Sequence, residues 1–297
     1  MTGTERTFTL RSGRTVAVHE LATPSDGDGA PRTVVFFHAA PGAGNFDPDP
    51  AETAARNVRL IAVDRPGYGG SEVVANGHWA SVEAAAEDTA EVLADRGIDH
   101  VSVVGWSAGG REALALAARH PDLVERVAII ATPAPDEEVP WVPDEQRAGI
   151  EALRGKPADE VHAALTESMS AMVPADTSDP GAVAVVGGGP ADEPALSRDG
   201  ARQRVAAMLA EAFTQGAVGM AADVAGYALQ PWGFEPGDVR QKSLLIYGAQ
   251  DKLAGARHGR WWKEHLPDAR LEMVPDGGHL VVVPMWKRFM SFLAPSR

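Results

Sequence analysis

Ser107 stands in Gly105-Trp106-Ser107-Ala108-Gly109, a hydroxyl with a glycine two residues away on each side. A serine hydroxyl is a weak nucleophile. It needs a base to take its proton and a tight turn to present it to a carbonyl carbon. The five residues lie where the apolar pattern changes period. Val101 to Val104 is a β-branched run, and from Ala108 onward the apolar residues recur at helical spacing. A strand entering and a helix leaving are the setting such a nucleophile requires. That setting also puts the Ala108 N–H at a helix N-terminus, where it can stabilise an oxyanion. The competing reading is a plain turn serine in a chain with 31 glycines.

Two later residues could complete the chemistry. His279 lies in Asp276-Gly277-Gly278-His279-Leu280, just after the strand pattern of residues 269–274. Glycines there let a loop carry an imidazole over a sheet edge. Asp251 follows the apolar run Ser243 to Tyr247 and could orient and charge-balance that imidazole. A helix-capping role is the alternative for Asp251. Asp136, Glu137 and Glu138 are rival acids ranked below it. The order serine, acid, histidine is that of one class of hydrolytic triad. A second oxyanion donor is expected from the loop His38-Ala39-Ala40-Pro41-Gly42, and Ala40 is the residue chosen. His38 reads as a packed structural histidine. The stretch at 64–71, DRPGYGGS, is expected to hold the neighbouring loops.

These residues need a scaffold. Residues 6–10 and 14–21 alternate like an antiparallel hairpin, whereas 33–37, 58–63, 101–104, 127–130 and 243–247 are near-continuously apolar. Such runs belong in a parallel sheet covered on both faces. Helical patterns at 81–96 and 108–120 alternate with them, and residues 256–265 and 284–293 follow later. The expected fold is therefore α/β, a mostly parallel, eight-stranded, doubly wound sheet. The alternation stops after Thr132. Helical patterns at 144–155, 158–173, 198–214 and 217–229 predict an inserted cap over 134–237, between core segments 1–133 and 238–297. Residues 174–194, rich in Gly, Pro, Asp and Ala, read as a mobile loop within it.

The quoted pieces, in this order, resemble the α/β-hydrolase fold superfamily. The likeness is to its capped serine hydrolases of the esterase, proline iminopeptidase and haloperoxidase-like type. It rests on residues 36–42, 64–71, 105–110, 231–234, 247–251 and 277–279 and spans nearly all of the chain outside the insertion. The resemblance implies a triad of Ser107, Asp251 and His279, with the Ala40 and Ala108 amides as oxyanion hole. Ala39 stands where such proteins usually carry glycine. A serine rather than an aspartate at 107 argues against the epoxide-hydrolase and haloalkane-dehalogenase branches.

Composition bounds the partners. The net charge of −14, with 27 Lys and Arg scattered among 41 acids, argues against nucleic acid and anionic membrane surfaces. A polar N-terminus, no apolar run of membrane-spanning length and no cysteine point to a cytoplasmic protein. No cofactor is implied: HExxH, EF-hand and phosphate-loop patterns are absent. His258 and His265 read as a solvated helix face rather than a metal pair. The expected activity is hydrolysis of a small to medium, uncharged or hydrophobic carboxylic ester or lactone, through an acyl-enzyme. Trp106, Trp141, Met172, Phe213, Tyr227 and Trp232 are candidate pocket residues, with cap packing as the alternative. Three rival activities share the frame. They are an aminopeptidase using Glu137, Glu138 and Glu145 for a free amine, a carbon–carbon bond hydrolase or lyase, and a ligand receptor without turnover.

Overall fold

A computed structural model describes residues 4–22 and 31–295. Eight strands form one sheet: β1 (Thr4–Thr9), β2 (Thr15–Ala22), β3 (Arg32–Phe37), β4 (Val58–Val63), β5 (Val101–Trp106), β6 (Val124–Ile130), β7 (Lys242–Gly248) and β8 (Ala269–Val274). Their spatial order is β1-β2-β4-β3-β5-β6-β7-β8. β1 and β2 pair antiparallel, as does β2 with β4, and every pairing from β4 to β8 is parallel.

The continuous apolar runs are explained by burial on both faces. In β3, Val34 and Phe36 enter one core while Val35 and Phe37 enter the other. Leu60 and Ala62 against Ile61 and Val63 repeat the division in β4, as do Leu244 and Ile246 against Leu245 and Tyr247 in β7. Period-2 geometry on a sheet covered twice demands this pattern. The second face is covered by α2 (Val82–Asp95), α3 (Gly109–Arg119) and α9 (Ala256–His265). The α2 stripe expected to be apolar (Val82, Ala85, Ala86, Thr89, Val92 and Leu93) is its buried set. The first face carries α1 (Pro50–Ala55) and α10 (Trp286–Leu293), where Trp286 meets Phe36 edge-on. The sequence reading has no counterpart of α1. It is one short turn capped by Asp49, whose carboxylate accepts the Glu52 N–H at 3.1 Å, with Pro50 opening it.

Between β6 and β7 the described chain is helical only. It contains α4 (Asp144–Glu151), α5 (Ala158–Met169), α6 (Glu193–Leu196), α7 (Ala201–Ala212) and α8 (Val218–Leu229). The stretch expected to be a mobile loop is instead largely structured. Tight 3₁₀ turns occupy Pro180–Val186 and Pro190–Asp192, and α6 follows directly. Val186, Asp192, Ala195 and Leu196 are buried, so tertiary contacts override the Gly/Pro composition. No described helix is long and apolar enough to cross a membrane.

Candidate active site

Ser107 sits between the end of β5 and the start of α3, with φ of +55°. A non-glycine residue in this left-handed region costs on the order of 1–3 kcal/mol and persists only where its surroundings enforce it. Here they do. The Ser107 N–H extends the sheet ladder to the Ile130 carbonyl at 2.7 Å. The flanking glycines are required by close approach. A Cβ on Gly105 would overlap the backbone of Gly109 and Gly110. On Gly109 it would overlap the carbonyls of Phe37 and His38, and on Gly110 the Thr132 side chain. Helix α3 thus packs directly under the loop that follows β3.

Asp251 lies just past β7, as expected from its position. Its Oδ1 accepts the N–H groups of Leu253 (2.8 Å) and Ala254 (3.0 Å), and its Oδ2 faces His279 Nδ1 at 2.8 Å. Burial pushes the carboxyl up, but the adjacent His279 and the two amides outweigh it and hold it below the ordinary value. An ionised carboxylate accepts only, so Nδ1 carries the imidazole proton. Nε2 is then the basic nitrogen, and it is buried with no hydrogen-bond partner among the described residues. His279 is tied to the Ser107 turn through Trp106. The indole N–H donates to the His279 carbonyl at 3.0 Å, and the two rings lie 6.1 Å apart.

The loop after β3 is organised by Arg65. Its Nη1 donates to the His38 carbonyl (2.7 Å) and its Nη2 to the Ala39 carbonyl (2.9 Å). Burial and the Arg65 charge hold His38 well below its ordinary pKa. Its Nε2 accepts the Arg65 N–H at 3.2 Å, leaving Nδ1 to donate to the Ala39 carbonyl at 2.8 Å. His38 is therefore a neutral structural residue. Ala39 is fully buried in the core, and its φ is not positive, so the alanine fits without strain. The N–H of Ala40 has no hydrogen-bond partner among the described residues, and neither does that of Ala108.

Arg65 is in turn gripped by Asp223 of α8, with Nε–Oδ1 at 2.9 Å and Nη2–Oδ2 at 2.8 Å. The Tyr68 hydroxyl donates to the same carboxylate at 2.9 Å, and Glu112 of α3 lies 3.9 Å from Arg65. Asp64 works beside it, accepting the Gly44 N–H and pairing with His19 Nε2 at 2.9 Å. The stretch 64–71 thus holds the neighbouring loops, in agreement with the sequence reading. Asp223 and Asp192, whose carboxylate accepts the N–H groups of His279 and Leu280 (3.2 and 2.7 Å), are absent from that reading. Neither carries a local signal, since the partner groups lie 158 and 87–88 residues away in sequence.

The six aromatic and methionine candidates do not converge. Trp106 is buried against Phe46 and His279. Trp141, Tyr227 and Trp232 surround the Arg111 guanidinium at 5.9, 4.5 and 5.2 Å. They line a cleft of about 1160 Å³ whose walls include neither Ser107 nor His279. Phe213 packs half-buried on the cluster around Tyr68 and Met220, and Met172 is 49% exposed. Of the rival acids, Asp136 is paired with Arg147 at 2.5 Å, and Glu137 and Glu138 line the cleft. His258 is buried rather than solvated. Its Nδ1 accepts the Ala134 N–H at 3.1 Å, and burial, with Arg257 nearby, pushes it down to about 4.

Residues 32–284 match the family model described as alpha/beta hydrolase fold. The chain belongs to that family. A hydrolase from Pseudomonas aeruginosa superposes with a TM-score of 0.70 at 23% identity, covering 99% of both chains. Among curated proteins, one similar to this chain is a pimeloyl-[acyl-carrier protein] methyl ester esterase of Chromobacterium violaceum. It is 29% identical over 82% of this chain and 85% of its own length. Another is a 2-hydroxy-6-oxononadienedioate/2-hydroxy-6-oxononatrienedioate hydrolase of Cupriavidus pinatubonensis, 25% identical over 98% and 93%.

Proposed function

We propose that this alpha/beta hydrolase cleaves carboxylic esters through an acyl-enzyme formed on Ser107. The observation that carries the reading is His279. Its Nδ1 is committed to Asp251 while its buried Nε2 is free, and its loop is tied through Trp106 to the turn that holds Ser107 at positive φ. In this reading His279 Nε2 takes the Ser107 proton as Oγ attacks the ester carbonyl. The resulting oxyanion lies between the Ala40 and Ala108 amides, and the imidazolium is stabilised by Asp251. The intermediate collapses as His279 returns the proton to the departing alkoxide. A water, deprotonated by the same nitrogen, then attacks the acyl-Ser107 carbonyl; the acyl–Oγ bond breaks, His279 returns the proton to Ser107 Oγ, and the acid leaves. An esterase among the curated relatives supports the ester class.

Residues 134–237 act in this proposal as a cap over the core segments 1–133 and 238–297. The substrate is a small to medium, uncharged or hydrophobic ester or lactone. Net negative charge and the absence of cysteine support a cytoplasmic enzyme acting on a free small molecule. The test is a panel of p-nitrophenyl and methyl esters with the wild type and Ser107→Ala. Fluorophosphonate labelling should be lost in the variant, and turnover should fall by about 10⁴-fold or more. Labelling elsewhere, or retained turnover, overturns the assignment.

A further inference from the structure

The active-site pair is closed over in this structure. Ser107 is 4% exposed and His279 1%. Part of the cover is the strap of 3₁₀ turns between Pro180 and Asp192. Gly187 of the strap, at φ +82°, packs closely on the His279 ring: a Cβ there would come to 3.0 Å of its Cδ2. Gly188 is similarly tight against Leu280. The strap therefore packs directly on the imidazole that the proposed mechanism uses as its base.

The end of the strap is chemically joined to the His279 loop. The carboxylate of Asp192 is 2% exposed and has no cationic partner among the described residues. Three backbone N–H groups satisfy it instead. Oδ2 accepts those of Gly189 (2.9 Å) and His279 (3.2 Å), and Oδ1 that of Leu280 (2.7 Å). A buried carboxylate is retained only where such donors replace its water, and charge-assisted bonds of this kind are the stronger ones. Gly278 makes the approach possible, because any Cβ there would overlap the carboxyl group. On its opposite side the same loop rests on the end of β7, with the Gln250 N–H donating to the Gly277 carbonyl at 2.9 Å and Gly248 packed tightly beneath. The backbone that carries the imidazole is thus clamped between the sheet and a cap residue.

We propose that Asp192 is a positioning residue that sets the His279 loop only when the strap is closed, coupling closure to assembly of the base. This inference rests on the proposed role of His279. Opening the strap breaks two hydrogen bonds to the loop, at the His279 and Leu280 amides. Closing it over substrate re-forms them and fixes Nε2 for proton transfer. The arrangement ties exclusion of water to readiness of the base, as lids do in other enzymes.

The experiment compares Asp192→Asn and Asp192→Ala with wild type, using a p-nitrophenyl ester. Misplacing a reacting group by about 1 Å can cost about 10²-fold, so kcat should fall by roughly that factor while KM changes little. Backbone hydrogen exchange over residues 277–282 should accelerate in the same variants, and fluorophosphonate labelling should slow in parallel. A kcat within twofold of wild type, or unchanged exchange over 277–282, overturns the proposal. If the Asp192 variants do not fold, Gly278→Ala decides, since its Cβ displaces the carboxylate from the other side. A parallel loss of kcat supports coupling, and a wild-type kcat refutes it. Ser107→Ala keeps the two proposals distinguishable. Retained turnover there removes the serine mechanism itself, whereas an inactive Ser107→Ala beside a fully active Asp192→Asn removes only the coupling.

Discussion

Arg65 and Asp223 meet in a two-pronged ion pair, 2.8 and 2.9 Å, buried between the sheet and helix α8 of the insertion. The guanidinium spends its remaining reach on the carbonyls of His38 and Ala39. One contact thus joins the insertion to the loop that offers the Ala40 amide.

Removing the anion should be costly. Asp223→Ala leaves Arg65 buried with Glu112, 3.9 Å away, as its nearest carboxylate. Breaking a buried pair by deleting one partner typically costs about 3–5 kcal/mol. Urea unfolding should show a loss of that order, accompanied by reduced ester turnover as the loop carrying the Ala40 amide loosens. Asp223→Asn, which retains an acceptor, should fall between. A loss below about 1 kcal/mol for the alanine variant contradicts this account.

Glu112 gives a pH signature. Burial pushes its carboxyl up to about 7, against the opposing pull of Arg65, and its Oε2 has no partner. A raised carboxyl stays neutral in the folded chain after its unfolded counterpart has ionised. Its stabilising contribution is therefore complete below the unfolded value of about 4.5 and drains away as pH rises to about 7. Glu112→Gln cannot ionise and lacks this loss. The melting temperature of the variant relative to wild type should rise between pH 5 and pH 8. A constant difference across that range would show that Glu112 does not titrate there.

The glycines at the Ser107 turn should respond oppositely to one elsewhere. Gly109→Ala pushes a methyl into the carbonyls of Phe37 and His38, both backbone. Overpacking of this kind costs roughly 1–3 kcal/mol, and here it also displaces the loop after β3, so stability and turnover should drop together. Gly149 on α4 has open space around its Cβ position. Gly149→Ala should stabilise by about 0.5–1 kcal/mol through helix propensity alone, with turnover unchanged. Thermal melts of both variants decide.

Local pattern carried much of this protein. Alternation of apolar runs and helical stripes predicts the eight strands, the buried face of α2 and the elbow at Ser107, because burial on a sheet or helix imposes its period on neighbouring residues. The placement of Asp251 and His279 past the ends of β7 and β8 is legible for a related reason: strand ends can be read from the apolar pattern. What tertiary structure decided was pairing across long separations. Asp192 and Asp223 resemble the other 39 acidic residues until folding sets one against the His279 and Leu280 amides and the other against Arg65. Likewise only packing sent Trp141, Tyr227 and Trp232 to the Arg111 cleft rather than to Ser107. Side-chain type records what a residue can bond, and the fold alone determines which partner arrives.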